Sequence, residues 1–274
     1  MTARAGGGAK PATTLGIDLS ASDAKTAACS IRWSGETAEV LSIERGLDNS
    51  QLVELIKSHD QAAIDAPFGW PAKFVDAIRE WRDKQAWSLN PWPPASSSPE
   101  RHELRFRHTD RVVAEIYRPL SVSTNLLGIT AMRCASLLTE LTPTNGTPID
   151  RAGGGRVCEA YPAASLTIWS PEGGGPKLDP VGYKGRSAVA RKKRRELTNA
   201  LLSGLGSKFT IGKKHKEQCY QSDDALDSLI CALVARARQQ GATIEASAKQ
   251  SRLAAVEGWI HLPENGSLSS LFRE

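Results

Sequence analysis

Long apolar runs are missing from this chain. Across its 274 residues no stretch approaches the roughly 20 apolar residues that a membrane-spanning helix needs, so no membrane partner is expected. The opening MTARAGGGAKPATT also lacks the apolar core of a signal peptide and reads as a disordered lead-in over residues 1–13. Paired cysteines are missing as well. Cys29, Cys134, Cys158, Cys219 and Cys231 are scattered, with no C-x-x-C, which speaks against a zinc site and against a disulfide framework. That usage suits a reducing compartment, and the cytoplasm is the expected location. No internal repeat is present, which excludes a solenoid. Acids are nearly absent between Lys184 and Lys216, where eleven Lys and Arg accompany a single Glu196. Since the whole chain carries only +5, the remainder is net negative. Clustered cations on an otherwise acidic protein suit a polyanionic partner, because they attract phosphates and release counterions. A solvated helix face is the other reading of Arg191–Arg195. The second cluster, Lys213-Lys-His-Lys216, keeps both readings open.

What is present reads as an α/β chain. LGIDLSA (15–21) is an apolar strand, and KTAACSIRW (25–33) and TAEVLSIERG (37–46) flank a Ser-Gly-Glu turn as a hairpin. Asn49-Ser50 then opens a helix with Leu52, Leu55 and Ile56 on one face, and QAAIDAPFGWP (61–71) is a buried strand broken by Pro67 and Gly69. A helix crossover places the first and last strands of this unit side by side and parallel. From 81 to 103 periodicity fades while Trp81, Trp87, Pro91, Trp92, Pro93 and Pro94 accumulate, so an irregular cap or insertion is expected at about 72–128 of a single domain spanning 14–274. Its tryptophans either stack on bases or glue the insertion down. TAMRCASLLTEL (130–141) is helical and RVCEAYPAASL (156–166) reads as a strand. A basic helix follows, and then SDDALDSLICALVARARQQG, which opens on a Ser-Asp-Asp cap and stops at Gly241.

Acidic residues stand in this frame where an acid needs a reason. Asp18 interrupts the first apolar strand, Asp65 ends another just before a proline, and Glu159 sits within Val157-Cys-Glu-Ala-Tyr-Pro162. Asp224 and Asp227, three apart, share one helix face. Uncompensated carboxylates near a core are costly. Mg²⁺ or Mn²⁺, which prefers oxygen ligands, would remove that cost. Acids at the carboxyl ends of adjacent strands can converge with acids on a helix packed beside them, where two ions would activate water against a phosphodiester. Taken singly, Asp18 or Asp65 could cap a turn and Asp224 could complement the helix dipole.

The elements GIDLSA, AAIDAPFG, FRHTDR, VCEAYP and DDALDSLICALVAR resemble the family called domain of unknown function 429, described as predicted nucleases of RNase H-like fold. The last element also resembles the C-terminal helix of RuvC-type resolvases, and the resemblance runs from about Leu15 to Gln240. It implies an RNase H-like mixed five-stranded sheet flanked by helices, and metal-dependent hydrolysis of nucleic acid, DNA or RNA. It implies Asp18 as the first-strand acid, Asp65 as the fourth-strand acid and Asp224 with Asp227 as the helix pair, all metal ligands. Glu159 falls outside that four-acid pattern and is carried as a further catalytic residue. Arg107 and Asp110 match the family in FRHTDR and either steer phosphate or form a structural ion pair. Arg191, Lys193, Arg194, Lys213 and Lys214 are expected to contact phosphate, and the basic stretch to flank the cleft. His102, His108 and His215 are weighed as proton shuttles and read as surface residues. Two other functions share the fold: a phosphotransferase or ATPase of the actin and sugar-kinase superfamily, and a non-catalytic nucleic-acid or protein-binding module. Against the phosphotransferase, Leu19 and Ala66 follow the two strand acids where its phosphate loops carry Gly. Asp18, Asp65 and Asp227 are expected to converge in one cleft with Asp224 and Glu159 on its rim. Asp227, as one of several repelling carboxylates, is expected to be a liability to the metal-free fold.

Overall fold

Side-chain alternation along two short strands decides where the acids point. A computed structural model describes residues 11–87, 91, 98–123, 125–142, 146–170 and 177–273. Trp92, Pro93 and Pro94, and residues 1–10 of the lead-in, lie outside the described residues. Strand β1 (Ala12–Asp18) pairs antiparallel with β2 (Ala27–Ser34), which pairs antiparallel with β3 (Thr37–Arg45). The strand thus begins at Ala12, inside the segment expected to lead in. Helix α1 (Asn49–Ser58) then carries the chain over to β4 (Gln61–Asp65), parallel to β1. The cap of α1 is Asp48, one residue earlier than the sequence suggests. Its carboxylate accepts from the backbone N–H of Gln51, whose side chain reaches back to the Asp48 N–H.

The expected insertion is more regular than its composition suggests, since α2 (Ala72–Lys84), α3 (Pro99–Arg105) and α4 (His108–Val113) are all helical. Trp81 stands 53% exposed on α2 and packs into no core. Helix α5 (Asn125–Leu141) follows, then β5 (Val157–Glu159), parallel to β4. Strand β5 is only three residues long. Pro162 starts helix α6 (Pro162–Trp169) where the sequence reads as continuing strand, because proline supplies no N–H to a ladder and is suited to a first helical turn. Helix α7 (Ala188–Leu205), β6 (Phe209–Thr210), α8 (Lys213–Gln221) and α9 (Asp223–Gln239) complete the main layer. Strand β6 adds a sixth strand beside β3, so the sheet runs β5-β4-β1-β2-β3-β6 rather than ending at five. Its two residues are too few for a sequence pattern to reveal. A small hairpin, β7 (Thr243–Ile244) with β8 (Leu262–Pro263), encloses the short helix α10 (Ser251–Glu257).

Helix α9 is buried on every side from Ala225 to Ala237, as suits a helix apolar all round. It lies across β1, β2 and β4, and α1 and α5 cover the other sheet face. Leu15, Ile17, Ala62 and Ile64 belong to the α1–α5 side, whereas Ala63 belongs to the α9 side. Successive side chains alternate, so Gly16 and Asp18 of β1, and Ala63 and Asp65 of β4, face α9. Gly16 is required there, because a Cβ would run into the backbone of α9 at Ser228 and Ala232. That close approach brings the start of α9 against the two strand ends.

Candidate metal centre and its cavity

The parallel register pairs Asp18 directly with Asp65, each the last residue of its strand. Ser222 caps α9 by accepting from the N–H of Ala225 (3.4 Å), which places Asp227 one turn in, beneath those strand ends. One carboxylate oxygen from each of Asp18, Asp65 and Asp227 lies within 4.8 Å of the others. The three acids therefore converge on the carboxyl edge of the central strands.

Their partners divide them. Asp227, 1% exposed, accepts a hydrogen bond from the Tyr183 hydroxyl (2.6 Å) and an ion pair from Lys184 Nζ (2.8 Å). Asp18 and Asp65, both partly buried, make no hydrogen bond or ion pair among the described residues. Among those residues, the one fully enclosed side-chain N or O without a partner is Thr198 Oγ1, so the oxygens of Asp18 and Asp65 open into free space. That space is a cavity of about 570 Å³ lined by both carboxylates, by Asp224 and Lys184, and by residues of the insertion. Burial raises the Asp18 carboxyl well above its usual range, and the Asp227 and Asp65 charges add to this. Burial likewise lifts Asp65 to about 7; the Lys184 ammonium opposes the shift, and Asp227 and Glu159 reinforce it. Asp227 is raised by burial too, but Lys184 and the Tyr183 hydrogen bond work against that.

The remaining site residues fall elsewhere. Asp224 lines the cavity but is held by Arg45, Nη2 to Oδ2 2.5 Å. Glu159 borders the same cavity, yet the register pairs it with Ile64, so it follows the parity of the α1–α5 side rather than that of Asp65. Both its oxygens are taken by the buried Arg107 guanidinium, Nη2 to Oε1 at 2.6 Å and Nη1 to Oε2 at 2.8 Å. Asp110 closes the network on Arg107 Nε and Nη2, and the Phe68 N–H donates to Glu159. Gly258, at φ +89°, lets the backbone pass against this ion pair where a Cβ would meet Glu159 Oε2 and Phe68 Cβ at 3.0 Å. Arg107 and Asp110 are each 2% exposed and border the cavity, and of the two roles weighed for them the structural ion pair is the one their hydrogen bonds display.

The basic stretch is likewise heterogeneous. Arg194 is 1% exposed and donates to the carbonyls of Tyr183, Gly185, Tyr220 and Gln221. It cannot also bind phosphate; it fixes the loop that presents Tyr183 and Lys184 to Asp227. Lys193 pairs with Asp179 at 3.0 Å. Arg191, Lys213 and Lys214 are exposed and enter no ion pair among the described residues. Of the whole stretch, Lys184 alone among the described residues lines the cavity. Replacing Arg191, Lys213 and Lys214 together by Ser tests the polyanion reading of this stretch, on which binding of unrelated nucleic-acid sequences should weaken to a similar degree and its dependence on salt should flatten, as fluorescence anisotropy at several salt concentrations would read. Arg194→Ser would instead lower the melting temperature. His102, His108 and His215 do not line the cavity; His108 stacks on Trp259, with ring centroids 6.4 Å apart. Sequence reading passed over Tyr183. The available signal was Tyr-Lys between Gly182 and Gly185, both at positive φ, immediately ahead of the basic helix.

An all-oxygen set of three carboxylates, two of them without a partner among the described residues, fits a hard divalent cation better than any other ligand class. All five cysteines are buried and free, and none belongs to this set. Among the described residues no helix is long and apolar enough to cross a membrane. A family model described as "Protein of unknown function (DUF429)" matches residues 16–251. No curated protein and no solved structure matches the chain.

Proposed function

The chain belongs to this family of unknown function, and from the site we propose that it is a metal-dependent nuclease that hydrolyses phosphodiester bonds of nucleic acid on an RNase H-like frame. One observation carries the reading: three carboxylates from two adjacent parallel strand ends and a packed helix converge, and two of them are unpaired toward a cavity. Ligands in open α/β sheets bind at that edge. The run β3-β2-β1-β4-β5, with first-strand and fourth-strand acids side by side, supports the RNase H-like assignment.

Asp18, Asp65 and Asp227 would hold Mg²⁺ or Mn²⁺, with Asp224 a further ligand if Arg45 releases it. Divalent ions bound there, two on a two-metal reading, would supply Lewis-acid polarisation of the phosphoryl oxygens and activation of water. The protein's own groups fix the frame. Tyr183 and Lys184 hold the Asp227 carboxylate in one rotamer, and Arg194 holds the loop that carries them. Lys184, its side chain 55% exposed, adds a cation beside the site of developing phosphoryl charge. Glu159, carried as catalytic from the sequence, instead anchors the wall of the cavity through Arg107.

Labelled single- and double-stranded DNA and RNA incubated with the purified protein and Mn²⁺ or Mg²⁺ are expected to be cleaved, and Asp65→Asn is expected to abolish cleavage. ATP turnover without cleavage would move the assignment to the phosphotransferases that share the fold. Binding with neither activity would leave a non-catalytic module.

A further inference from the structure

The cavity in front of the carboxylates is more than a metal pocket. At about 570 Å³ it falls in the range that encloses a small organic ligand. Its walls differ in chemistry. The floor holds the unpaired Asp18 and Asp65. The insertion contributes Tyr117, Arg118 and Leu120, and the N-cap of α6 contributes Tyr161. Tyr117 and Tyr161 meet edge to face at 5.8 Å, and the Tyr161 hydroxyl donates to the Arg118 carbonyl (3.2 Å), which ties the insertion to α6. The two rings and Leu120 therefore form one braced apolar wall. Lys25, at the end of the β1–β2 connection, and Arg118 also line the cavity; both are exposed, and neither enters an ion pair among the described residues.

This combination selects among ligands. Carboxylates alone would favour a bare cation, and an apolar wall alone would favour any flat hydrophobe. Two unpaired cations sharing a cavity with unpaired carboxylates, without pairing to them, instead suit a group that is anionic and yet binds metal, as a phosphate ester does. A flat ring against Tyr117, Tyr161 and Leu120 completes the match, since such contacts accept any base face.

Resting on the nuclease reading above, we propose that the cavity takes a single nucleotide unit. The base lies on the Tyr117–Tyr161–Leu120 wall, and the phosphate lies between the carboxylate-bound metal and the cations Lys25 and Arg118. The substrate is then a nucleotide unit that can leave its stack, presented by a single-stranded end rather than by the interior of an intact duplex.

Isothermal titration of the full chain in Mn²⁺ tests this without relying on turnover. A nucleoside 5′-monophosphate is expected to bind at least tenfold more tightly than inorganic phosphate or the unphosphorylated nucleoside. Arg118→Ser and Lys25→Ser, both at exposed positions, are each expected to weaken nucleotide binding several-fold while Mn²⁺ alone titrates as in the unmodified protein. Tyr161→Leu is expected to erase the preference over inorganic phosphate. Nucleotide affinity equal to that of phosphate, or unchanged by all three substitutions, would overturn the proposal. In parallel, linear single strands should be degraded and a covalently closed duplex should not; equal cleavage of both would overturn it while leaving the nuclease reading intact. Nucleotide binding with no cleavage of any nucleic acid would do the reverse.

Discussion

Asp65→Asn is expected to raise the melting temperature of the metal-free protein and to remove most of its stabilisation by Mn²⁺. The first effect follows from the company Asp65 keeps. Its carboxyl is lifted to about 7 from an ordinary value of 3.8, chiefly by burial, and among the described residues no group donates to it. A carboxyl raised in the folded state contributes stability that is complete below its unfolded value and is lost as the pH rises through the folded one. Metal-free protein should therefore lose stability between about pH 4 and pH 7 as Asp65 gives up its proton. Asp18, shifted in the same direction, adds to the loss. The Asn variant lacks the Asp65 part of that slope, and its amide can donate to the neighbouring carboxylates. At pH 8 its gain should be about 1–2 kcal/mol, roughly 2–8 °C for a chain of this length. The gain should shrink toward zero at pH 4. The second effect is mass action: a ligand that binds only the folded state stabilises in proportion to its affinity, and the variant has lost an anionic oxygen pair. Thermal melts in EDTA and in Mn²⁺ across pH 4–8 separate the two effects. A lower melting temperature in EDTA with an unchanged Mn²⁺ response would assign Asp65 a structural role and withdraw the metal centre.

The same comparison separates Asp227 from the two strand acids. On the sequence it stands as one more uncompensated acid. In the fold Tyr183 and Lys184 occupy its two oxygens, so Asp227→Asn removes a satisfied charge and frees a lysine. The liability falls most heavily on the two strand acids, which lack such partners, while burial still leaves the Asp227 carboxyl raised. The sequence could not reveal this, because the compensating pair lies 44 and 43 residues upstream in a loop whose placement depends on Arg194, itself legible only as one cation of a basic run. What was legible had a local cause. The strand order came from alternation and turn residues, and the parallel pairing of β1 with β4 came from the intervening helix. Convergence of Asp18, Asp65 and Asp227 followed from acids placed where apolar residues belong. Three features had no such cause. Strand β6 is two residues long, α2 to α4 lie in a segment whose proline and tryptophan content masks helices, and β7, α10 and β8 fall beyond the end of the motifs. The exposed or inward state of each basic residue is a tertiary property, and so the sequence left two roles open for Arg107 and read Arg194 as a phosphate contact, whereas both are buried and bonded inward.

Glu159 separates the two kinds of role most sharply, because an acid in this position can be a ligand or an anchor. As a metal ligand, Glu159→Gln would leave the metal-free melt nearly unchanged and weaken the Mn²⁺ response. The geometry predicts the opposite. Its carboxylate makes two charge-assisted bonds to a guanidinium that is 2% exposed and accepts from the Phe68 N–H. The carboxyl itself is raised by burial, against the Arg107 charge that holds it ionised. Neutralising it leaves Asp110 as the one carboxylate hydrogen-bonded to Arg107 in this interior, and removing one member of a buried pair typically costs about 3–5 kcal/mol. The gap is larger than the effect of Asp65→Asn and opposite in sign. Arg107→Met should cost a similar amount by stranding two carboxylates, and the double variant should cost less than the sum, because the second substitution removes a charge the first had stranded. Arg107 also donates to the Glu257 carbonyl, and Glu257 accepts from the backbone N–H groups of Ala72 and His108. Losing the pair should therefore loosen α2 and α4 together, and with them the Tyr117–Leu120 wall. Limited proteolysis should then cut the segment between Pro71 and Ser121 first, with Mn²⁺ still raising the melting temperature by the wild-type increment. A full metal-free melting temperature with a diminished Mn²⁺ increment would return Glu159 to the ligands and leave Arg107 as its orienting partner.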